Sequence, residues 1–446
     1  MNTALVEKVV NAVLYEGYIL YPYRASSKKN RERFTFGRVY PEDYSIAQEG
    51  AEPFVMQTEC LVRNESKDAR LNISVRFLHP MAREVGMLAA PIVELPANET
   101  PEFEVVPDLQ VGEQLYQTWQ EVVERCVELP PIALRDAAQI SHAFEFSGSR
   151  TLEPIRSENG KISALLVRRQ DAVRGTVEVM TQPIDAAVFK VSVRVSNRTP
   201  LPVTEMENQS AVIMRTFTST HTILQAEGGE WLSLTDAPPE YAEATAACKN
   251  IGAWPVLVGE EAKGDRDAML ASPIILYDYP QIAPESPGDL FDGLEIDEIL
   301  TLRVMAMSDA EKVEMRQVDE QARRILERTE NMPSDHLLKM HGVMKNVRSL
   351  DEDFFNPGVK LETATVGGKS LKAGDRVRIR PKKRADAMDM VLDGKIAVIE
   401  AVEQDLEGGV QLALVLDDDP GRDLGMMRQP GHRFFYGTDE VELVTE

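Results

Sequence analysis

Six acidic side chains crowd between positions 285 and 298, where carboxylate oxygens could bind a hard cation or act as a general acid–base pair. They are Glu285, Asp289, Asp292, Glu295, Asp297 and Glu298. Their spacing does not match an EF-hand loop, and Pro287 and Gly288 break any regular periodicity. The simpler interpretation is a solvated loop whose acids favour the positive end of a following helix. Both interpretations stay open, and the candidate metal ligands are Glu285, Asp289, Asp292 and His341.

Histidine spacing does not add a metal motif to these acids. His336 and His341 are five residues apart, so on a helix their side chains diverge by about 140°. Two imidazoles that share a metal on one helical face need a spacing of four. The sequence also lacks a phosphate-binding Gly-Lys-Ser/Thr loop, a GxGxxG turn and a GxSxG elbow. We therefore predict no catalytic residues and no cofactor.

Residues 15–33 combine tyrosines with basic side chains in an otherwise acidic chain. Tyrosine and arginine are enriched at binding hot spots, because they offer a large apolar area and planar hydrogen-bond donors. The predicted binding residues are Tyr18, Tyr21, Tyr23, Arg24, Lys28, Asn30 and Arg31. The alternative is that the rings pack inside the fold and the bases pair with the chain's own acids. The binding hypothesis requires these side chains to be exposed.

Composition limits the classes of partner. The chain has 446 residues and a formal net charge of −24, which repels phosphate backbones and disfavours nucleic-acid binding. No apolar run approaches the ~20 residues that span a bilayer, and no secretory signal is visible at the N-terminus. Three widely spaced cysteines form no CxxC pair, which argues against a disulfide framework or a zinc ribbon. We expect a cytoplasmic protein that is not inserted in a membrane.

Most of the first half alternates apolar and polar residues, as β-strands do. The alternating segments are 54–62, 71–78, 103–106, 164–168, 175–180 and 188–195. A short amphipathic helix is predicted over 3–16, and a helical insertion over 111–130 from the spacing of Leu115, Trp119 and Cys126. This region is predicted to form a β-sandwich with helical insertions.

The second half of the sequence contains a mixed helical region, followed by a region of short predicted strands. Residues 236–300 are rich in proline and acids, and helices are predicted over 295–305, 308–328 and 335–346. Short strands near 375–380, 394–400, 410–416 and 439–443 predict an SH3-like small β-barrel. The fold class is thus mainly β with α insertions. The predicted domains are a sandwich (1–235), a mixed helical region (236–350), a linker (351–368) and a barrel (369–446).

Three stretches carry a resemblance to a known family. They are Leu14–Gly37, Ser272–Arg303, and a terminal module with Arg384–Asp389, Asp417–Pro420 and Asp439–Glu442. The chain resembles an uncharacterised bacterial family that is encoded beside high-affinity, actinobacterial-type [NiFe] uptake hydrogenases. The resemblance implies an accessory, assembly or scaffold role, with hydrogenase subunits or maturation proteins as partners. It transfers no catalytic residue.

The leading hypothesis is therefore a non-catalytic protein that acts beside a [NiFe] hydrogenase by protein–protein interaction. The alternative is an enzyme or metal-handling maturation factor that uses the acidic segment 285–298. Stoichiometric metal in the purified protein would distinguish the second from the first.

Overall fold

The computed structural model describes most of the chain from residue 3 to residue 444. The residues it leaves out are 1–2, 17, 20–22, 25–29, 31–35, 97–98, 113, 135–138, 281–300, 302, 319, 333–358, 362, 367–368, 383–391, 405–409, 420–421, 423–425, 427–432 and 445–446. The predicted helix over 335–346 and much of the one over 295–305 lie outside the described residues.

The helices of the described chain are short. They are α1 (Thr3–Leu14), α2 (Glu42–Ala47), α3 (Gln209–Met214), α4 (Ala242–Ala246), α5 (Asp309–Val318) and α6 (Glu320–Glu330). The amphipathic N-terminal helix was predicted, and so was the helical stretch from 308, which forms α5 and α6. Across the described residues, no helix combines the length and the apolar character that a membrane span requires.

Strands dominate, which confirms the mainly β prediction. They are β1 (Val55–Asn64), β2 (Arg70–Ile92), β3 (Phe103–Val106), β4 (Asp108–Val111), β5 (Gln114–Gln117), β6 (Trp119–Glu128), β7 (Ile132–Ala133), β8 (Gln139–Phe146), β9 (Ser149–Arg156), β10 (Ile162–Gln170), β11 (Val173–Pro183), β12 (Val188–Asn197), β13 (Thr218–Glu227), β14 (Gly229–Trp231), β15 (Trp254–Leu257), β16 (Ala268–Ser272), β17 (Val359–Leu361), β18 (Ala364–Val366), β19 (Lys369–Leu371), β20 (Arg376–Ile379), β21 (Ile396–Gln404), β22 (Val410–Leu416), β23 (Phe434–Gly437) and β24 (Val441–Leu443).

Two compact units divide the chain, one mainly from Met1–Ile282 and Asp309–Arg324 and the other mainly from Ile325–Glu446. The first unit contains a five-stranded sheet in the order β14-β1-β12-β11-β8. It also contains a nine-stranded sheet whose main path is β15-β16-β13-β2-β10-β9. All pairings are antiparallel.

One apolar cluster of the first unit draws side chains from both of these sheets. Cys60 and Val191 come from the five-stranded sheet, and Phe77, Leu224 and Met269 from the nine-stranded sheet. Alternation explains this, since every second residue of a strand faces the same side of its sheet. The period-two pattern of the sequence is therefore the pattern that builds this core.

The predicted helical insertion over 111–130 is wrong. Trp119–Glu128 forms a strand along β2, from Trp119 opposite Arg83 to Glu128 opposite Ser74. The spacing of its apolar residues fits a helix, but Val122 and Val123 are β-branched and suit a strand. The backbone hydrogen bonds offered by the 23-residue strand β2 decide the outcome.

The second unit contains a six-stranded antiparallel sheet in the order β23-β22-β21-β20-β24, with β17 paired to β21. Its apolar core includes Val377, Ile399, Leu414 and Tyr436. Among the described strands, the pairings run from one edge to the other and do not close into a barrel. The sequence correctly placed four of these strands, β20, β21, β22 and β24. The predicted strands did not include β23, and the predicted linker (351–368) contains β17, which pairs with β21.

Candidate functional site

The described part of the tyrosine and arginine segment faces the interior. Tyr18 and Tyr23 are buried. Arg24 forms an ion pair with Glu311, with 3.0 Å between nitrogen and oxygen. The buried Asn30 side chain donates a hydrogen bond to the Arg24 carbonyl oxygen. Tyr18, Tyr23 and Asn30 therefore lack the exposure that the binding hypothesis requires, and Arg24 is paired within the chain.

The other predicted site residues lie outside the described residues. They are Tyr21, Lys28, Arg31, Glu285, Asp289, Asp292 and His341. Binding by them stays a prediction. Within the described ranges, no cluster of three His, Cys, Asp or Glu side chains could bind a metal ion.

The structure brings together the two longest segments of the family resemblance, at a bulge in β13. The Ser219 hydroxyl donates to the Leu14 carbonyl oxygen (2.5 Å), and the Thr220 amide donates to the Gly37 carbonyl oxygen (3.1 Å). His221 lies 3.2 Å from the Ser272 hydroxyl oxygen, between Nε2 and Oγ. The first segment ends at Gly37 and the second begins at Ser272. We call this meeting point the motif junction.

The Ser272–His221 pair has the geometry of a nucleophile beside a base. His221 Nδ1 is 2.7 Å from the Ser219 carbonyl oxygen, so it carries the proton and Nε2 accepts from the Ser272 hydroxyl. Burial lowers the pKa of His221 to about 4, which keeps the imidazole neutral. Both side chains are fully buried, so no substrate reaches them in this conformation. The pair positions the Ser272 end of the second segment.

The loop that follows Ser272 is anchored at several points. Leu276 packs on the apolar cluster that includes Val9 and Val10 of α1. Asp278 accepts hydrogen bonds from the Ser233 hydroxyl at 2.5 Å and from the Leu257 amide at 2.8 Å. These contacts fix the backbone of the loop on both sides of residue 277.

Two large apolar side chains of this anchored loop point to solvent. Ile275 is 71% exposed and Tyr277 is 87% exposed, on either side of the inward-facing Leu276. A fixed loop that displays a tyrosine and an isoleucine loses little conformational entropy when a partner covers it. Ile275 and Tyr277 belong to a segment that carries the resemblance, but they are not among the residues predicted from the sequence to bind a partner. Ile275 and Tyr277 point to solvent because Leu276, which lies between them, packs on the apolar cluster of α1. The local sequence pattern does not predict this long-range contact.

A charged cleft of about 580 Å³ is the second feature that sequence reasoning missed. Arg83 and Arg168 are opposite each other on β2 and β10, and Glu121 bridges them with 2.9 Å to each. Arg168 also donates to Glu153 at 2.8 Å. These residues come from four different strands, so no sequence spacing links them.

No protein-family model matches the chain, and no curated protein matches it significantly.

Proposed function

We propose that this protein is a non-catalytic accessory or scaffold protein of a [NiFe] hydrogenase, and that it acts in the cytoplasm by binding hydrogenase subunits or maturation proteins. The observation that supports this proposal most directly is the display of Ile275 and Tyr277 on an anchored loop. This loop belongs to the segment Ser272–Arg303, one of the stretches that carry the family resemblance. The docking surface of the proposal is thus Ile275 and Tyr277, in place of the tyrosines at positions 18 and 23.

Tyr277 has the physical character of a binding anchor. Its ring offers a large area at low conformational cost, and its hydroxyl can donate a hydrogen bond. Among the described residues, no packing contact requires an aromatic side chain at this position, because the ring is almost fully solvated. The neighbouring Leu276 and Asp278 carry the structural contacts of the loop instead.

The finer description of the fold is part of the same proposal. The shared core of the two large sheets supports a β-sandwich. In the second unit, the 3₁₀ turn Thr438–Glu440 joins β23 to β24, and β24 returns to pair with β20. This pairing of the last strand with β20 supports an SH3-like arrangement of the strands. Small modules of this kind suit an interaction protein.

Affinity purification from the native cells, followed by mass spectrometry, tests the function. The wild-type chain is expected to recover hydrogenase subunits or their maturation proteins. The double variant Ile275→Asp/Tyr277→Asp is expected to lose at least about 90% of that recovery, because two charges replace the apolar contact. Its melting temperature should stay within about 2 °C of wild type, since both side chains are exposed.

Val203→Asp is the matched control, because Val203 is also exposed and lies outside the loop. It should recover the same partners as wild type. If no hydrogenase component is captured, or if the loop variant captures as well as Val203→Asp, the proposal is wrong. Stoichiometric nickel, iron or zinc in the purified protein would instead favour the metal-handling alternative.

A further inference from the structure

The charged cleft of the first unit has a positive lining in a strongly acidic chain. Four arginines and three glutamates line it, which leaves an excess of one positive charge. They are Arg83, Arg168, Arg316, Arg323, Glu121, Glu153 and Glu320. Since the whole chain carries −24, this local excess is a departure from the general surface. This local positive charge favours the binding of an anion of low charge.

Hydrogen bonds hold the guanidinium groups of Arg83 and Arg168 in place but do not use all of their donors. Arg83 is only 7% exposed and donates from Nε to the Gln117 carbonyl oxygen and from Nη1 to Glu121. Arg168 donates from Nε to Glu121 and from Nη1 to Glu153. Among the described residues, the Nη2 groups of Arg83 and Arg168 have no hydrogen-bond acceptor. Arginine donors with fixed geometry suit a planar carboxylate.

Gln117 offers a ligand a hydrogen-bond acceptor, whereas the two arginines offer donors. Its side chain is 8% exposed and lines the cleft, and its Oε1 is buried without a hydrogen-bond partner among the described residues. A buried acceptor without a donor destabilises the site, because it has lost its hydrogen bonds to water. A ligand that brings an N–H or O–H donor beside its carboxylate would therefore be favoured over one that lacks it.

We infer that the cleft is a binding site for a small carboxylate that also carries a hydroxyl or amino donor, the class of hydroxy acids and amino acids. Arg83 and Arg168 bind the carboxylate through their Nη2 groups, and Gln117 Oε1 accepts from the donor. Leu115 and Leu166 line the same cavity and contact the carbon skeleton. This inference does not depend on the proposed interaction with hydrogenase proteins.

Malate and succinate form a matched pair of probes, because they differ by one hydroxyl group. Isothermal titration calorimetry on the full-length protein is expected to show malate binding with a Kd at least about tenfold lower than that of succinate. In Gln117→Leu, the two Kd values should come within about twofold of each other. In Arg168→Gln, malate binding should weaken by at least about tenfold.

Arg150→Gln is the matched control, because Arg150 lies on the neighbouring strand β9 outside the cleft and donates to Thr100. It should change malate binding by less than about twofold. Equal affinity of the wild-type protein for malate and succinate would overturn the inference without the use of any variant. Absence of malate binding, or binding of inorganic phosphate as tight as that of malate, would also overturn it.

Discussion

Gly37 lies directly against Pro273 at the motif junction. A Cβ atom at Gly37 would be 2.7 Å from Pro273 Cγ and 2.8 Å from the Thr220 amide nitrogen. The backbone of Gly37 also has a φ of +56°, a conformation that other residues adopt only at a cost. One glycine thus permits the first resemblance segment to approach the second.

Gly37→Ala is expected to lower the free energy of unfolding by at least about 2 kcal/mol, from the positive φ and the steric clash together. Urea denaturation measures the loss. Gly112→Ala is the control, because Gly112 has a φ of +61° with no atom within 4 Å of its ideal Cβ. If both variants lose the same stability, the contact with Pro273 contributes nothing.

Arg24 should be important for stability, since it is paired with Glu311 in the same unit. Arg24→Glu places two carboxylates together and is expected to cost about 1 to 2 kcal/mol. The reversed pair Arg24→Glu/Glu311→Arg should recover part of that loss in thermal denaturation. Arg150→Glu, at an exposed arginine, should cost less than about 0.5 kcal/mol. A melting temperature that Arg24→Glu leaves unchanged would restore the hypothesis of a free docking cation.

The tyrosine segment shows that composition alone does not predict whether a side chain is buried. Composition indicated that Tyr18, Tyr23 and Arg24 have an unusual role, but composition does not say what covers a side chain. The covering partners, such as Glu311, come from a distant part of the chain. The alternative interpretation, with rings inside and bases paired with the chain's own acids, is the one that the described residues follow.

Strand patterns were more informative, because alternation is local. The segments around residues 54–62, 175–180 and 188–195 became β1, β11 and β12, which pair side by side. The same method failed for β6, whose pairing with β2 is a long-range choice. The charged cleft also lay beyond sequence reasoning, since it depends on the register that places Arg83 opposite Arg168.

Two buried histidines should make folding sensitive to mild acid. Burial lowers the pKa of His79 and that of His221 to about 4, from an ordinary value near 6.5. The unfolded chain therefore binds protons that the folded chain does not bind between about pH 6.5 and 4. Stability is full above pH 6.5 and falls as the pH decreases through this window. Each histidine contributes a loss of about 2 kcal/mol between pH 7.5 and 5.

Urea denaturation at pH 7.5 and 5 tests this prediction. His221→Gln should reduce the pH-dependent loss of unfolding free energy by about 2 kcal/mol, whatever its stability at pH 7.5. His142→Gln is the control, because the His142 side chain is partly exposed on β8. An unchanged pH dependence in His221→Gln would show that His221 does not resist protonation in the folded state.

Arg433 should be essential to the second unit, because it compensates two nearly buried carboxylates. It lies 2.7 Å from both Glu400 and Glu403 on β21. Arg433→Met leaves both carboxylates without this partner and is expected to cost about 3 to 5 kcal/mol in urea denaturation. The triple variant Arg433→Met/Glu400→Gln/Glu403→Gln removes the charges together and should recover most of that loss. If the triple variant is as unstable as Arg433→Met, the arginine acts through its packing on the Phe435 ring, 5.1 Å away, and not through its charge.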